Sequence, residues 1–105
     1  MAKEPLEGTF QEDAYTLIHP IRYRIVKLLA EKPLHVNAIA LAMGMERRHI
    51  TYHLRILEDS GFLTSKYEVS EGPKKLRGKA LRVCTVTDKV AEVKAELKKD
   101  LELDP

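Results

Sequence analysis

Residues 37–61 read NAIALAMGMERRHITYHLRILEDSG, two helical patterns split by a glycine-bearing turn. Asn37 is a good N-cap, and Val36 with Leu41 would staple the first pattern from N′ to N4. Ala38, Ile39, Leu41, Ala42 and Met43 fill that short helix, and Gly44 ends it at C′. After Gly44-Met45-Glu46 the second pattern runs from Arg47 to Asp59. Its stripe is Ile50, Leu54 and Leu57, its stop is Gly61, and Met45 with Ile50 would repeat the staple.

Upstream, Ile21, Ile25, Leu28 and Leu29 recur at i, i+4, i+7 and i+8, one buried helical face. The His19-Pro20 step disfavours helix at His19 and restarts it, because proline is tolerated in a first turn. Helical character begins at Asp13. Residues 1–12 carry Pro, Gly and acids without apolar period and read as a flexible arm. Lys32-Pro33 stops the helix, and Leu34-His35-Val36 is a short extended piece.

Downstream, Phe62 to Val69 and Ala80 to Val86 are rich in β-branched and aromatic residues. They flank a tip, SEGPKKLRGK, that is longer than a tight hairpin turn. Alternation puts Leu63, Tyr67 and Val69 on one face of the first strand, and Leu81, Val83 and Thr85 on one face of the second. Thr87-Asp88 then opens a helix with Val90, Val93, Leu97 and Leu101 as a narrow stripe.

Composition narrows the function classes. A chain of 105 residues, 44% hydrophobic and 32% charged, is one domain with one core. Its single cysteine excludes an internal disulfide and a thiolate zinc cluster. No apolar run approaches the ~20 residues that span a bilayer, and the acidic start is unlike a signal peptide, so a cytoplasmic protein without membrane contact is expected. The net charge of +2 hides its distribution. Residues 62–86 hold six Lys/Arg against Glu68 and Glu71, whereas the first 18 hold Lys3 against four acids. A basic centre presents a local field to a polyanion.

The expected fold is α+β and mainly α: helix, short strand, helix, tight turn, helix, two-stranded hairpin, C-terminal helix. Two helices joined by a short Gly turn form a helix-turn-helix, and a basic hairpin behind it makes a winged helix. Residues 13–86 would form that domain, and 87–105 the last helix.

LIHPIRYRIVKLLAEKPLHVNAIALAMGM followed by ITYHLRILEDSGFL resembles winged-helix repressors of the ArsR (arsenical-resistance-repressor) type and their archaeal relatives. The shared features are His19-Pro20 and Arg22 ahead of the Ile/Leu stripe, Pro33-Leu34, Gly44, His53-Leu54, Leu57 and Gly61. The resemblance covers roughly residues 14–86 and implies a DNA-binding homodimer. The stripe Val90, Val93, Leu97 and Leu101 of the last helix can pack on its own domain or pair with a second subunit; the resemblance favours pairing, with the first helix contributing Tyr15 and Ile18. Metal-sensing members use a Cys-x-Cys pair near the recognition helix, or Asp/His pairs on the last helix. The first is absent and residues 87–105 contain no His, so metal sensing is not carried over. The small hydroxyl residue common at the recognition-helix N-cap is here Glu46.

With Ile50, Leu54 and Leu57 inward, Arg47, Arg48, Thr51, Tyr52 and Arg55 occupy the outer side of that helix. Arg can take both acceptors of guanine in the major groove, and Thr or Tyr can meet a thymine methyl or a phosphate. The plain alternative is a solvated amphipathic face. Lys74, Lys75, Arg77 and Lys79 at the hairpin tip suit a phosphate backbone or minor groove, against mere protection of a strand edge. His49 and His53 share a helical side at i, i+4 but lack a third ligand. The acidic row Asp88, Glu92, Glu96 and Asp100 reads as a solvated face. Cys84, in a strand, reads as a small hydrophobe.

These features together predict a sequence-specific, double-stranded DNA-binding transcriptional regulator acting as a homodimer, with no cofactor, no metal and no catalytic residues; its effector stays open. The alternative is a winged-helix module that meets an acidic protein partner. No phosphate loop, activated nucleophile or carboxylate pair points to an enzyme.

Overall fold

The computed structural model describes the backbone of residues 3–69 and 80–103, with side chains from 9 to 69 and 80 to 101. Helix α1 (Lys3–Ile18) and α2 (Pro20–Glu31) precede a short strand β1 (Leu34–His35). Then come α3 (Val36–Met43), α4 (Arg47–Asp59), β2 (Leu63–Val69), β3 (Ala80–Val86) and α5 (Asp88–Leu103). The sheet is antiparallel in the order β1-β3-β2. The extended piece expected at Leu34 is thus a third strand, pairing Leu34 with Cys84 and His35 with Val83.

The helical layer follows from the apolar stripes. Leu17, Ile25, Leu29, Ile39, Ile50, Leu54, Leu57 and Phe62 are all 0–2% exposed and form one core with Leu63, Cys84, Val90 and Val93. Pro20 stands at N1 of α2 behind His19, whose Nδ1 accepts from the Ile21 amide at 3.2 Å. Both helices of the central turn end as the glycines predicted. At Gly44 (φ 64°) the Met45 amide reaches the Ala40 carbonyl at 3.1 Å, and at Gly61 (φ 84°) the Phe62 amide reaches Leu57 at 2.9 Å. Both are Schellman closures, which need a left-handed residue at C′.

Three local expectations change. The backbone is already helical at Lys3, so residues 3–12 belong to α1 rather than to a loose arm. Phe10, Ala14 and Leu17 recur at i, i+4 and i+7 and face the core, a stripe that the surrounding Thr, Gln and acids mask. The cap of α3 is His35 and not Asn37: its Nδ1 accepts from the Ala38 amide at 3.3 Å, and Val36 at N1 is 3% exposed. The strand faces alternate as expected, and the register adds which of them meet. Tyr67 stands opposite Arg82, Ser65 opposite Cys84 and Leu63 opposite Val86, so the inner face of β3 is Arg82, Cys84 and Val86. Leu81, Val83 and Thr85 take the other side. Cys84 is fully buried, whereas Tyr67 and Val69 extend beyond the helical layer and are 71% and 67% exposed.

The third change concerns the last helix. Val90 and Val93 are 8% and 7% exposed and pack on the chain's own core. Thr87 caps this helix, accepting from the Lys89 amide at 3.3 Å while its hydroxyl donates to the Gly61 carbonyl at 2.6 Å. Lys89 ties α5 to α1 and to the α4–β2 turn: it pairs with Asp13 at 3.1 Å, donates to the Ser60 carbonyl and lies over the Phe62 ring. No helix among the described residues is long and apolar enough to cross a membrane.

Candidate nucleic-acid interface

Helix α4 is strongly two-faced. Ile50, Leu54 and Leu57 are fully buried, and His53 completes the inward side at 8% exposure. Arg47, Arg48, Tyr52 and Arg55 are exposed, and Thr51 is partly so. All five side chains expected from sequence therefore lie on the outward side of one helix. The Thr51 hydroxyl donates to the Arg48 carbonyl at 3.0 Å, so its hydrogen is held by its own helix.

Arg47 and Thr51, one turn apart, form one wall of a hollow of about 310 Å³. His35, Val36 and Asn37 at the start of α3 form a second wall, and Tyr67, Ala80, Leu81 and Arg82 of β2 and β3 a third. The wing strands thus stand directly beside the N-terminal half of α4. His35, Asn37, Tyr67 and Arg82 do not stand out in the sequence as members of this face; the parity that sets Tyr67 against Arg82 is the one signal available. The tip cations Lys74, Lys75, Arg77 and Lys79 lie outside the described residues.

Two charged features modify this face. Glu46 precedes α4 without capping it; its carboxylate pairs with Arg48 at 3.4 Å and lies 3.8 Å from His49, all well exposed. Behind the face, Arg22 holds α4 to the α1–α2 junction. Its Nε donates to the Thr16 carbonyl at 2.7 Å and its Nη1 lies 3.2 Å from His53 Nδ1. A guanidinium can only donate, so this contact requires a neutral ring that accepts at Nδ1. Arg22 is therefore a fold support. Burial first, then the charges of His19, Arg22 and His49, push the His53 pKa below its ordinary value. The His19 ring is tilted against His53 at 4.9 Å, and Tyr52 meets it edge-on at 5.0 Å.

His49 and His53 share the helix, but His53 points inward to Arg22 while His49 is exposed beside Glu46. Among the described residues no group of three or more His, Cys, Asp or Glu gathers to hold a metal ion. Burial raises the Cys84 pKa against the weaker opposing effect of Arg82, which leaves a protonated, shielded thiol.

The family model described as a helix-turn-helix domain matches residues 17–66, from the end of α1 through α4 into β2. The sequence has no match among curated proteins. Among solved structures, M. tuberculosis Rv0081 is 27% identical, over 94% of this chain and 91% of that one, with a TM-score of 0.69. The homodimeric winged helix-turn-helix DNA-binding domain of Mb0332 from Mycobacterium bovis is 22% identical over 95% and 84%, with a TM-score of 0.71. An ArsR family transcriptional regulator, RHA00566, is 24% identical over 96% and 91%, with a TM-score of 0.62. Residues 17–66 match the helix-turn-helix domain model, and the chain shares the winged helix-turn-helix fold of these structures.

Proposed function

We propose that this chain is a sequence-specific, double-stranded DNA-binding transcriptional regulator that acts as a homodimer. The observation that carries the proposal is the exposed Arg47, Arg48, Thr51, Tyr52 and Arg55 face of α4, bordered by the hollow that separates it from the wing. An α-helix of this kind fits the major groove, with its N-terminal side chains at base edges. Arg47 and Arg48 occupy that end. Lys74, Lys75, Arg77 and Lys79 would add phosphate contacts, which supply affinity and its salt dependence.

Pairing uses the surface that α1 and α5 leave uncovered. Ile18, Tyr23, Leu97 and Leu101 line an open apolar hollow of about 480 Å³, rimmed by Lys94 and Lys98. Tyr15, Ile18 and Leu101 are 74%, 52% and 72% exposed. The homodimeric M. bovis domain supports the same assembly here. Two-fold symmetry would set two recognition helices about 34 Å apart on a pseudo-palindromic site.

Selection of bound sequences from a random duplex library tests the proposal. A two-fold related motif with half-sites about one helical turn apart is expected; recovery of no motif would contradict sequence reading. The second reading, an interaction module for an acidic protein, draws on Glu46, whose exposed carboxylate would repel a phosphate. It predicts no binding to duplex DNA.

A further inference from the structure

We propose that Glu58 is a positioning residue for DNA binding, fixing the angle of the wing on the recognition helix through Ser65 and Arg82. The inference rests on the DNA-binding reading of the α4 face. Glu58 lies in the last turn of α4. Its Oε2 accepts from Ser65 Oγ of β2 at 2.8 Å, and its carboxylate forms an ion pair with Arg82 of β3. Arg82 Nε in turn donates to Ser65 Oγ at 3.2 Å, so the hydroxyl accepts from one partner and donates to the other. Three elements meet in one closed triangle. The ion-paired side chains are only 23% and 26% exposed, which protects the pair from screening.

The place of this triangle gives it a function. Leu63 is the last β2 side chain in the core at 2% exposure, and further out on the same strand Tyr67 is 71% exposed. Apolar packing thus releases the strand at Leu63, and the triangle is the next tie outward between the wing and α4. Beyond it lies the hollow lined by Arg47, Thr51, Tyr67 and Arg82. Helix α4 and the wing can meet one duplex together only at a fixed angle, and this tie sits at the vertex.

Local energetics oppose a glutamate here. Carboxylates are unfavourable at a helix C-terminus, where the macrodipole is negative, and an anion near a DNA-binding face repels phosphate. The first effect predicts that neutralising Glu58 stabilises the helix, and the second that it improves binding, if the residue does nothing else. A positioning role predicts the reverse sign.

The test measures binding of the full chain to a fluorescein-labelled random-sequence 30-base-pair duplex across a salt series. Glu58→Gln is expected to weaken binding about tenfold and to flatten the log–log salt slope by about 0.9 for each phosphate that the wing no longer reaches. A substitution that merely loosens the fold would lower the melting temperature and leave that slope unchanged. Should Glu58→Gln fail to fold, Ser65→Ala, which removes only the bridging hydroxyl, carries the same expected result. Equal or tighter binding by the folded variant, or a weakening without a change of slope, overturns the inference while leaving the DNA-binding reading intact. Failure of the parent chain to bind any duplex overturns both.

Discussion

At His53 one ring nitrogen decides how helix α4 is held. It accepts from Arg22, which also grips the Thr16 carbonyl, so a neutral imidazole joins α4 to the end of α1. Burial and the neighbouring charges lower its pKa, so the folded chain binds fewer protons there than the unfolded chain does. Stability is therefore retained above the ordinary value of 6.5 and lost as the pH falls below it toward the folded-state value. Thermal melts between pH 7.5 and 5 should show this loss, and His53→Asn, which can still accept from Arg22, should remove most of it. An identical pH profile in the variant would assign the titration elsewhere. Glu46 carries a second prediction. Replacing it with Gln removes an exposed anion beside Arg48 and should tighten duplex binding about fivefold, near the ~1 kcal/mol of a unit charge a few ångströms away in water. Unchanged affinity would mean that the α4 N-terminus does not approach phosphate. Cys84 is fully buried with a raised pKa, so iodoacetamide should label it only on unfolding; rapid labelling of the native chain would contradict its place in the core.

At the level of elements, the helix-turn-helix was legible because its signals are local. Two glycines, a stripe at i, i+4 and i+7, and a proline at N1 each fix backbone geometry by short-range sterics. Gly44 isolates that effect: nothing lies within 4 Å of the position a Cβ would take, so only the left-handed φ resists a side chain. Gly44→Ala should cost roughly 1–2 kcal/mol in denaturant melts and Gly44→Asn less, since asparagine tolerates this region. Equal cost for both would point to a contact other than the turn. What sequence did not show was set at longer range. The parity of β3 follows from its pairing with β1 as much as from its own alternation, and Arg82 on the inner face is accommodated only by Glu58 and Ser65 from other elements. Likewise His35 caps α3 because Leu34 and His35 are already held in the sheet. The hollow between α3, α4 and the wing is a tertiary product of these pairings, so its lining from the wing side could not be read from any one segment.

For the whole molecule, the helical layer places two surfaces on different sets of elements: a cationic face on α4 and an apolar one on α1 and α5. The second was legible as a stripe, but not which part of it the protomer's own core would absorb; Val90 and Val93 face inward, and Leu97 and Leu101 remain at the open hollow. Ile18→Glu should shift the chain from dimer to monomer in sedimentation, with the fold intact by circular dichroism. A persistent dimer would move the interface elsewhere. The cationic face is tested most directly by the salt dependence of binding to random duplex DNA. The account predicts a steep fall of affinity with salt, a log–log slope of about −0.9 for every phosphate engaged. A slope near zero, or no binding at low salt, would contradict it.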